Sequence, residues 1–277
     1  MNNRITKCFE ELKKNQEKAL IPFIMGGDPD IETTEGLILA MEEAGAQIVE
    51  IGIPFSDPVA EGVVIQDAAA RALLAGCTVD KLFDMVERLR EKNNMPLLFM
   101  TYANPIYAYG KERFMETCQE VGIDGIIVPD VPYEEKEEFE GVCNKNGIAL
   151  ISLIAPTSGE RVEKIASQAE GFLYCVSSLG VTGVRKEITT NVEELIAQVR
   201  KASSVPCAIG FGVSTPQQAR RLALVADGVI VGSAIVKLVG EFGKESVVYV
   251  KEFVREIHDV VHSKMIEESN GAYEKIL

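Results

Sequence analysis

Residues 47–66 read QIVEIGIPFSDPVAEGVVIQ: a short apolar run holding one carboxylate, Glu50, and then a loop rich in Gly and Pro that carries a second, Glu61. On an extended strand, alternate side chains face opposite sides, so Ile48, Glu50 and Gly52 share one face while Val49, Ile51 and Ile53 share the other. Apolar residues on both faces describe a strand covered from both sides. Strands of that kind belong to parallel sheets, where crossover helices pack against the sheet. A carboxylate buried in such a strand without a partner has its pKa raised and can hold a proton near neutrality, as a general acid requires.

The same pattern repeats outward from this stretch. A polar leading helix over residues 3–18 precedes an apolar strand at 21–27, and a helix near 31–44 leads into the strand at 47–54. A helix over 63–75 stops at Gly76, and Thr78 is placed to cap the next, whose apolar positions Val79, Leu82, Phe83, Val86 and Leu89 keep helical spacing. Strands follow at 96–102, 125–130, 149–156, 171–178, 206–212 and 227–236. Helices separate them, one over 158–169 capped by Ser158, one opened by Asn191 with Glu194, one started by Pro216. A closing helix spans 246–262, and 262–277 reads as a polar tail. Eight strands alternating with helices close an α/β barrel, and the expectation is a single (β/α)8 TIM-barrel domain over 1–277, with the barrel at 19–261 and an extra N-terminal helix at 1–18. An open doubly wound sheet is the rival arrangement.

Composition narrows the function. The chain has 277 residues, 47% hydrophobic and 25% charged, with a net charge of −14, which disfavours nucleic acid and anionic membranes as electrostatic partners. The six cysteines are scattered without a CxxC pair, the N-terminus lacks the apolar segment of a signal peptide, and no apolar run approaches membrane-spanning length. A cytoplasmic location fits this reading.

In an α/β barrel the ligand site lies at the C-terminal ends of the strands. Glu50 is the only charge within the body of a proposed strand. Gly180, Gly183, Gly210, Gly212 and Gly232 with Ser233 end the last three strands, an arrangement suited to holding a phosphate on backbone N–H groups. Phe23, Tyr102, Tyr174 and Phe211 occupy corresponding positions and can wall an apolar pocket. No Lys lies in a strand, which disfavours Schiff-base chemistry. The HDVVH spacing of His258 and His262 imitates a zinc motif but has Asp for Glu and no third ligand, so no metal is expected. Carboxylate acid/base chemistry on a phosphorylated, partly apolar substrate remains.

From Ile21 to Lys237 the motifs IPFIMGGDP, VEIGIPFSDPVAEG, TYANP, VPDVP, YCVSSLGVTG, GFGVS and VGSAIV resemble the tryptophan synthase alpha-subunit family. The resemblance implies retro-aldol cleavage of indole-3-glycerol phosphate to indole and glyceraldehyde 3-phosphate. It also implies transfer of indole to a beta subunit in an alpha2beta2 assembly, with pyridoxal phosphate on the partner and no cofactor on this chain. It assigns Glu50 as the acid that protonates indole C3 and places Glu61 beside the indole N–H. Phosphate contacts fall to Gly183, Gly212, Gly232 and Ser233, and indole packing to Phe23, Tyr102, Tyr174 and Phe211. Thr182 lies on a lid that meets the second carboxylate, and Asp57 on the partner-facing loop. Two positions depart from the family pattern: Glu61 replaces an Asp and Val63 a Pro. An extra methylene displaces a carboxylate by roughly 1 Å, enough to slow a tightly positioned site about a hundredfold. The alternatives are therefore a stand-alone indole-releasing lyase and a weakly active or non-catalytic regulatory subunit that binds a phosphorylated ligand.

Overall fold

The computed structural model describes residues 3–176, 192–210 and 212–262. Its strands are β1 (Ala19–Met25), β2 (Val49–Gly52), β3 (Leu97–Met100), β4 (Gly125–Ile127), β5 (Ala149–Leu150), β6 (Ser152–Ile154), β7 (Leu173–Val176), β8 (Cys207–Gly210) and β9 (Gly228–Val231). All neighbours pair in parallel, in the order β5-β4-β3-β2-β1-β9-β8-β7-β6. The two ends of that order are the two halves of one barrel strand, divided only at Ile151, whose N–H donates to Ile126 O at 2.9 Å. The first half pairs with β4 and the second with β7, which closes a (β/α)8 TIM barrel.

Around the barrel run α1 (Arg4–Asn15), α2 (Ile31–Glu43), α3 (Val63–Leu74), α4 (Val79–Arg90), α5 (Ala103–Tyr109), α6 (Lys111–Val121), α7 (Glu137–Lys145), α8 (Arg161–Ser167), α9 (Val192–Ala202), α10 (Pro216–Ala223), α11 (Ser233–Phe242) and α12 (Ser246–His262). Two of the helix starts read from sequence form as expected. Thr78 accepts from Lys81 N–H at 3.3 Å, and Pro216 opens α10 behind Thr215, which accepts from Gln218 N–H at 3.3 Å. Asn191 lies outside the described residues, as do Thr182, Gly183, Phe211 and the tail beyond His262.

Two apolar clusters express the alternation along the strands. Val49, Ile51, Leu97, Phe99 and Ile126 pack outward against the helices. Ala19, Ile21, Ile48, Leu98, Ile127, Phe172 and Ile230 fill the barrel interior. The leading helix belongs to the interior: Ile5, Phe9 and Leu12 join that cluster, and the Phe9 and Phe172 rings lie 5.6 Å apart. Helix α1 therefore plugs the N-terminal end, and Arg4 pins it to the buried Asp124 at 2.9 Å.

Three expectations are corrected, and one helix is added that the sequence reading did not contain. β1 ends at Met25 because Gly27 turns the chain at φ 82°, where a side chain would strike Cys77 at 2.5 Å. β9 ends at Val231 rather than 236, because Gly232 is already the cap residue of α11. Ser158 does not cap α8. Its Oγ accepts from Ala155 N–H at 3.0 Å inside a 3-10 turn, and the helix begins three residues later, at Arg161. Finally, α5 occupies ANPIYAY, where Asn-Pro reads as a turn. Pro105 falls in its first turn, which needs no N–H from it, and Asp130 accepts from Ala103 N–H at 3.0 Å.

Candidate active site

Strand β2 carries Glu50 on its interior face, with Phe23 of β1 and Leu98 of β3 in register on either side. Both neighbours are apolar, the residue is 1% exposed, and Oε2 has no hydrogen-bond partner among the described residues. Loss of water disfavours the charged form, and the charge of Glu61 adds to that, so the Glu50 pKa rises from 4.5 to about 8. At neutral pH Glu50 holds a proton.

The β2–α3 loop brings the second carboxylate to the same cavity. Gln66 Nε2 donates to Glu61 O at 2.7 Å, fastening the end of the loop to the first turn of α3. Burial raises the Glu61 pKa, and the hydroxyl of Tyr102 acts against that rise. Tyr102 follows β3, next to the strand bearing Glu50, and its hydroxyl accepts from Ala60 N–H at 3.1 Å. Val59 on the same loop and Val63, the first residue of α3, are exposed, and Asp57 lies exposed at the loop tip, accepting from Ser56 Oγ at 2.5 Å.

The cavity has a volume of about 460 Å³, within the range of small-molecule sites. Phe23, Glu50, Glu61, Tyr174, Gly212, Gly232 and Ser233 line it together. Tyr102 is outside the lining, behind the loop. Asp57 is also outside it, on the surface. Gly212 has φ 80°, a conformation that glycine adopts without strain. At Gly232 the N-terminus of α11 has no side-chain cap, and the first-turn N–H groups of an α-helix have no acceptors within it. A helix start of this kind attracts an anion through those N–H groups and the helix dipole. No Lys or Arg lines the cavity among the described residues.

Sequence reasoning did not single out Met100, Pro129, Leu153, Ala155 and Ser158, which also line the wall. A period-two signal was available at Met100 and Leu153, each two residues beyond an inward-facing residue, Leu98 and Ile151. The arrangement supplies a neutral carboxylic acid, a second carboxylate near it, an apolar wall and a site for an anion. Together these can protonate one end of an apolar group while an anion is held at the other.

Residues 9–264 match the family model described as tryptophan synthase alpha chain. The chain is 48% identical over 261 residues to the tryptophan synthase alpha chain of Caldanaerobacter subterraneus subsp. tengcongensis, covering 94% of this chain and 100% of the relative. It is 46% identical to that of Alkaliphilus metalliredigens, covering 94% and 98%. Among solved structures, tryptophan synthase subunit alpha from Legionella pneumophila str. Paris superimposes with a TM-score of 0.84 at 36% identity, covering 94% and 99%. A chain of the tryptophan synthase complex from Pyrococcus furiosus gives 0.79 at 36% identity, covering 87% and 98%. A matched barrel, a match along nearly the whole sequence and relatives covered over nearly their full length lead to one conclusion: this chain belongs to the tryptophan synthase alpha chain family.

Proposed function

We propose that the chain works as the lyase of its family, cleaving indole-3-glycerol phosphate to indole and glyceraldehyde 3-phosphate, with Glu50 as the proton donor. The observation carrying this reading is the buried, unpartnered Glu50, protonated at neutral pH on the floor of the cavity. Its proton goes to indole C3, which turns the ring into a leaving group. The bond from C3 to the glycerol chain then breaks, and the adjacent hydroxyl gives up its proton as the aldehyde forms. One proton enters at carbon and one leaves from oxygen, so a single carboxyl can serve both transfers.

Glu61 stays ionised beside the indole N–H and stabilises positive charge on the protonated ring. Its charge also favours the proton on Glu50, so the two carboxylates hold different roles through their surroundings. Phe23 and Tyr174 enclose the ring, together with Phe211, which lies outside the described residues. Phosphate contacts fall to Gly183, Gly212, Gly232 and Ser233, and Thr182 pairs with Glu61; Gly183 and Thr182 lie outside the described residues. The whole chain acts as one barrel domain, with the leading helix as its plug and residues 262–277 as a tail.

The partner is a beta subunit, which takes the indole and carries the pyridoxal phosphate, leaving this chain without a cofactor. Exposed Asp57 and Val59, at 74% exposure, on the β2–α3 loop and half-exposed Tyr107 on α5 provide a mixed face for that contact. Among the described residues no helix is long and apolar enough to cross a membrane. The cytoplasm is the proposed location.

The test is indole release from indole-3-glycerol phosphate, with and without a cognate beta subunit. The expected result is a slow reaction alone, accelerated by the partner, and a loss of at least about a hundredfold in Glu50→Gln. Full activity in Glu50→Gln refutes the acid assignment. Fast turnover with no response to the beta subunit refutes the partnership.

A further inference from the structure

Tyr102 occupies an unexpected place. Its ring is 3% exposed, yet it does not line the cavity; the segment Val59–Glu61 lies between ring and ligand space. It engages the β2–α3 loop at two points. Its ring packs on Phe55 near the start of the loop, with centroids 5.5 Å apart at 40°. Its hydroxyl accepts from Ala60 N–H at 3.1 Å near the end, one residue before Glu61. That hydroxyl also works against the rise that burial causes in the Glu61 pKa.

The loop has few other holds. Val59 is largely exposed, the Ser56–Asp57 hydrogen bond is local to the tip, and Gln66 Nε2 holds the carbonyl of Glu61 rather than its carboxylate. Glutamate has three side-chain torsions, and fixing such a chain costs more than about 1 kcal/mol of rotamer freedom. A carboxylate that must face one atom of the substrate therefore needs an anchor. A hydroxyl that holds the backbone N–H of residue 60 is such an anchor, because it fixes the main chain from which the next residue, Glu61, projects.

We propose that Tyr102 is a positioning residue that orients Glu61 toward the substrate, and that its hydroxyl, more than its ring, is what the reaction uses. The inference rests on the role given to Glu61 above. Burial and its neighbours push the Tyr102 pKa up to about 12, so the hydroxyl keeps its proton, and its ability to donate, across the working range.

Three variants test this by steady-state indole release across pH. Tyr102→Phe keeps the ring and removes the hydroxyl. The expected result is a kcat lowered about tenfold with KM changed less than about twofold, the pattern of an interaction made in the transition state. Removing the donor also lets burial raise the Glu61 pKa further, so the acidic limb of kcat/KM moves to higher pH. Placing 3-fluorotyrosine at position 102 keeps the shape, strengthens the donor and moves that limb the other way; it also serves if Tyr102→Phe fails to fold.

Glu61→Gln, measured in parallel, separates the two levels of the argument. If Glu61→Gln is slow while Tyr102→Phe or the fluorinated protein keeps the native kcat and acidic limb, the positioning role is refuted and the function stands. If Glu61→Gln is as fast as the native chain, the role of Glu61 fails, and the inference fails with it. A raised KM with unchanged kcat in Tyr102→Phe overturns the proposal in favour of simple packing.

Discussion

Replacing Glu50 with Gln should stabilise the protein progressively as pH rises, while removing its activity. In the folded chain Glu50 titrates near 8, against 4.5 for an unburied glutamate. Between those values the unfolded chain has released the proton and the folded chain still holds it, so the folded state binds more protons and stability falls as pH rises. That loss begins near the unfolded pKa and is complete above the folded one. One pH unit in this window corresponds to a tenfold change in the folding equilibrium, and from pH 5 to pH 8 the effect accumulates to on the order of 3–4 kcal/mol. Glutamine has nearly the same shape and no titration, so its variant lacks this slope. Its amide is also buried without a partner, but that penalty is the same at every pH and cancels when the two pH values are compared.

Equilibrium urea unfolding of both proteins at pH 5, 6, 7 and 8 measures the effect directly. The other titrating groups are common to both chains, so the difference curve isolates position 50. The stability of Glu50→Gln relative to the native chain should rise by about 3 kcal/mol or more over this range. A flat difference curve would mean that Glu50 is ionised in the folded state or that water reaches it, and the general-acid argument would fail at its first step. A curve of opposite slope would require a cation that the interior does not show among the described residues.

Three further substitutions probe the scaffold. Gly52→Ala places a methyl group 2.8 Å from Phe23 Cζ, so the ring must shift; the expected cost is about 1–3 kcal/mol, with a raised KM because Phe23 lines the cavity, and an unchanged KM refutes the contact. Asp28→Asn weakens a buried two-point contact with Arg71, at 2.8 and 2.7 Å, that ties the β1–α2 loop to α3; the urea midpoint should fall by an amount equivalent to about 2 kcal/mol. Thr78→Ala removes the cap of α4 and should cost about 1 kcal/mol without altering kcat, whereas a lowered kcat would show that α4 reaches the site.

The barrel was legible because its signals are local. Strands covered on both faces are apolar throughout, and caps such as Thr78 and Pro216 lie next to the helices they begin. The closing helix was placed at its observed limits, Ser246–His262. What escaped depended on neighbours distant in sequence. Nothing in ALISLIAP announces that the strand is shared between β4 and β7, with Ile151 at the division. Helix α5 was concealed because Asn104-Pro105 is a turn signal, and the acceptor for its first N–H, Asp130, comes from another loop. Ser158 resembled a cap by spacing, but its hydroxyl was already engaged by Ala155. In the site, Glu50 stood out as a charge in an apolar run. The hydroxyl of Tyr102 did not, because its partners at Ala60 and Glu61 become neighbours only when β2 and β3 lie side by side.

The choice of Glu50 as acid also bears on how the cavity holds an anion. A protein of net charge −14 that binds a phosphorylated substrate would be expected to place cations around it, yet no Lys or Arg lines the cavity among the described residues. A lysine beside Glu50 would stabilise its carboxylate and lower its pKa, removing the proton that the reaction requires. Helix α11 offers an anion its backbone N–H groups instead. They carry only partial charge, and their influence fades within about a turn of the helix end. The phosphate can be held there without a full positive charge elsewhere in the cavity. Ionised Glu61 and the phosphate then both act on Glu50 in the direction of protonation. Among the described residues the cavity wall carries no cation beside Glu50, and that favours a carboxylic acid protonated at neutral pH in the same 460 Å³.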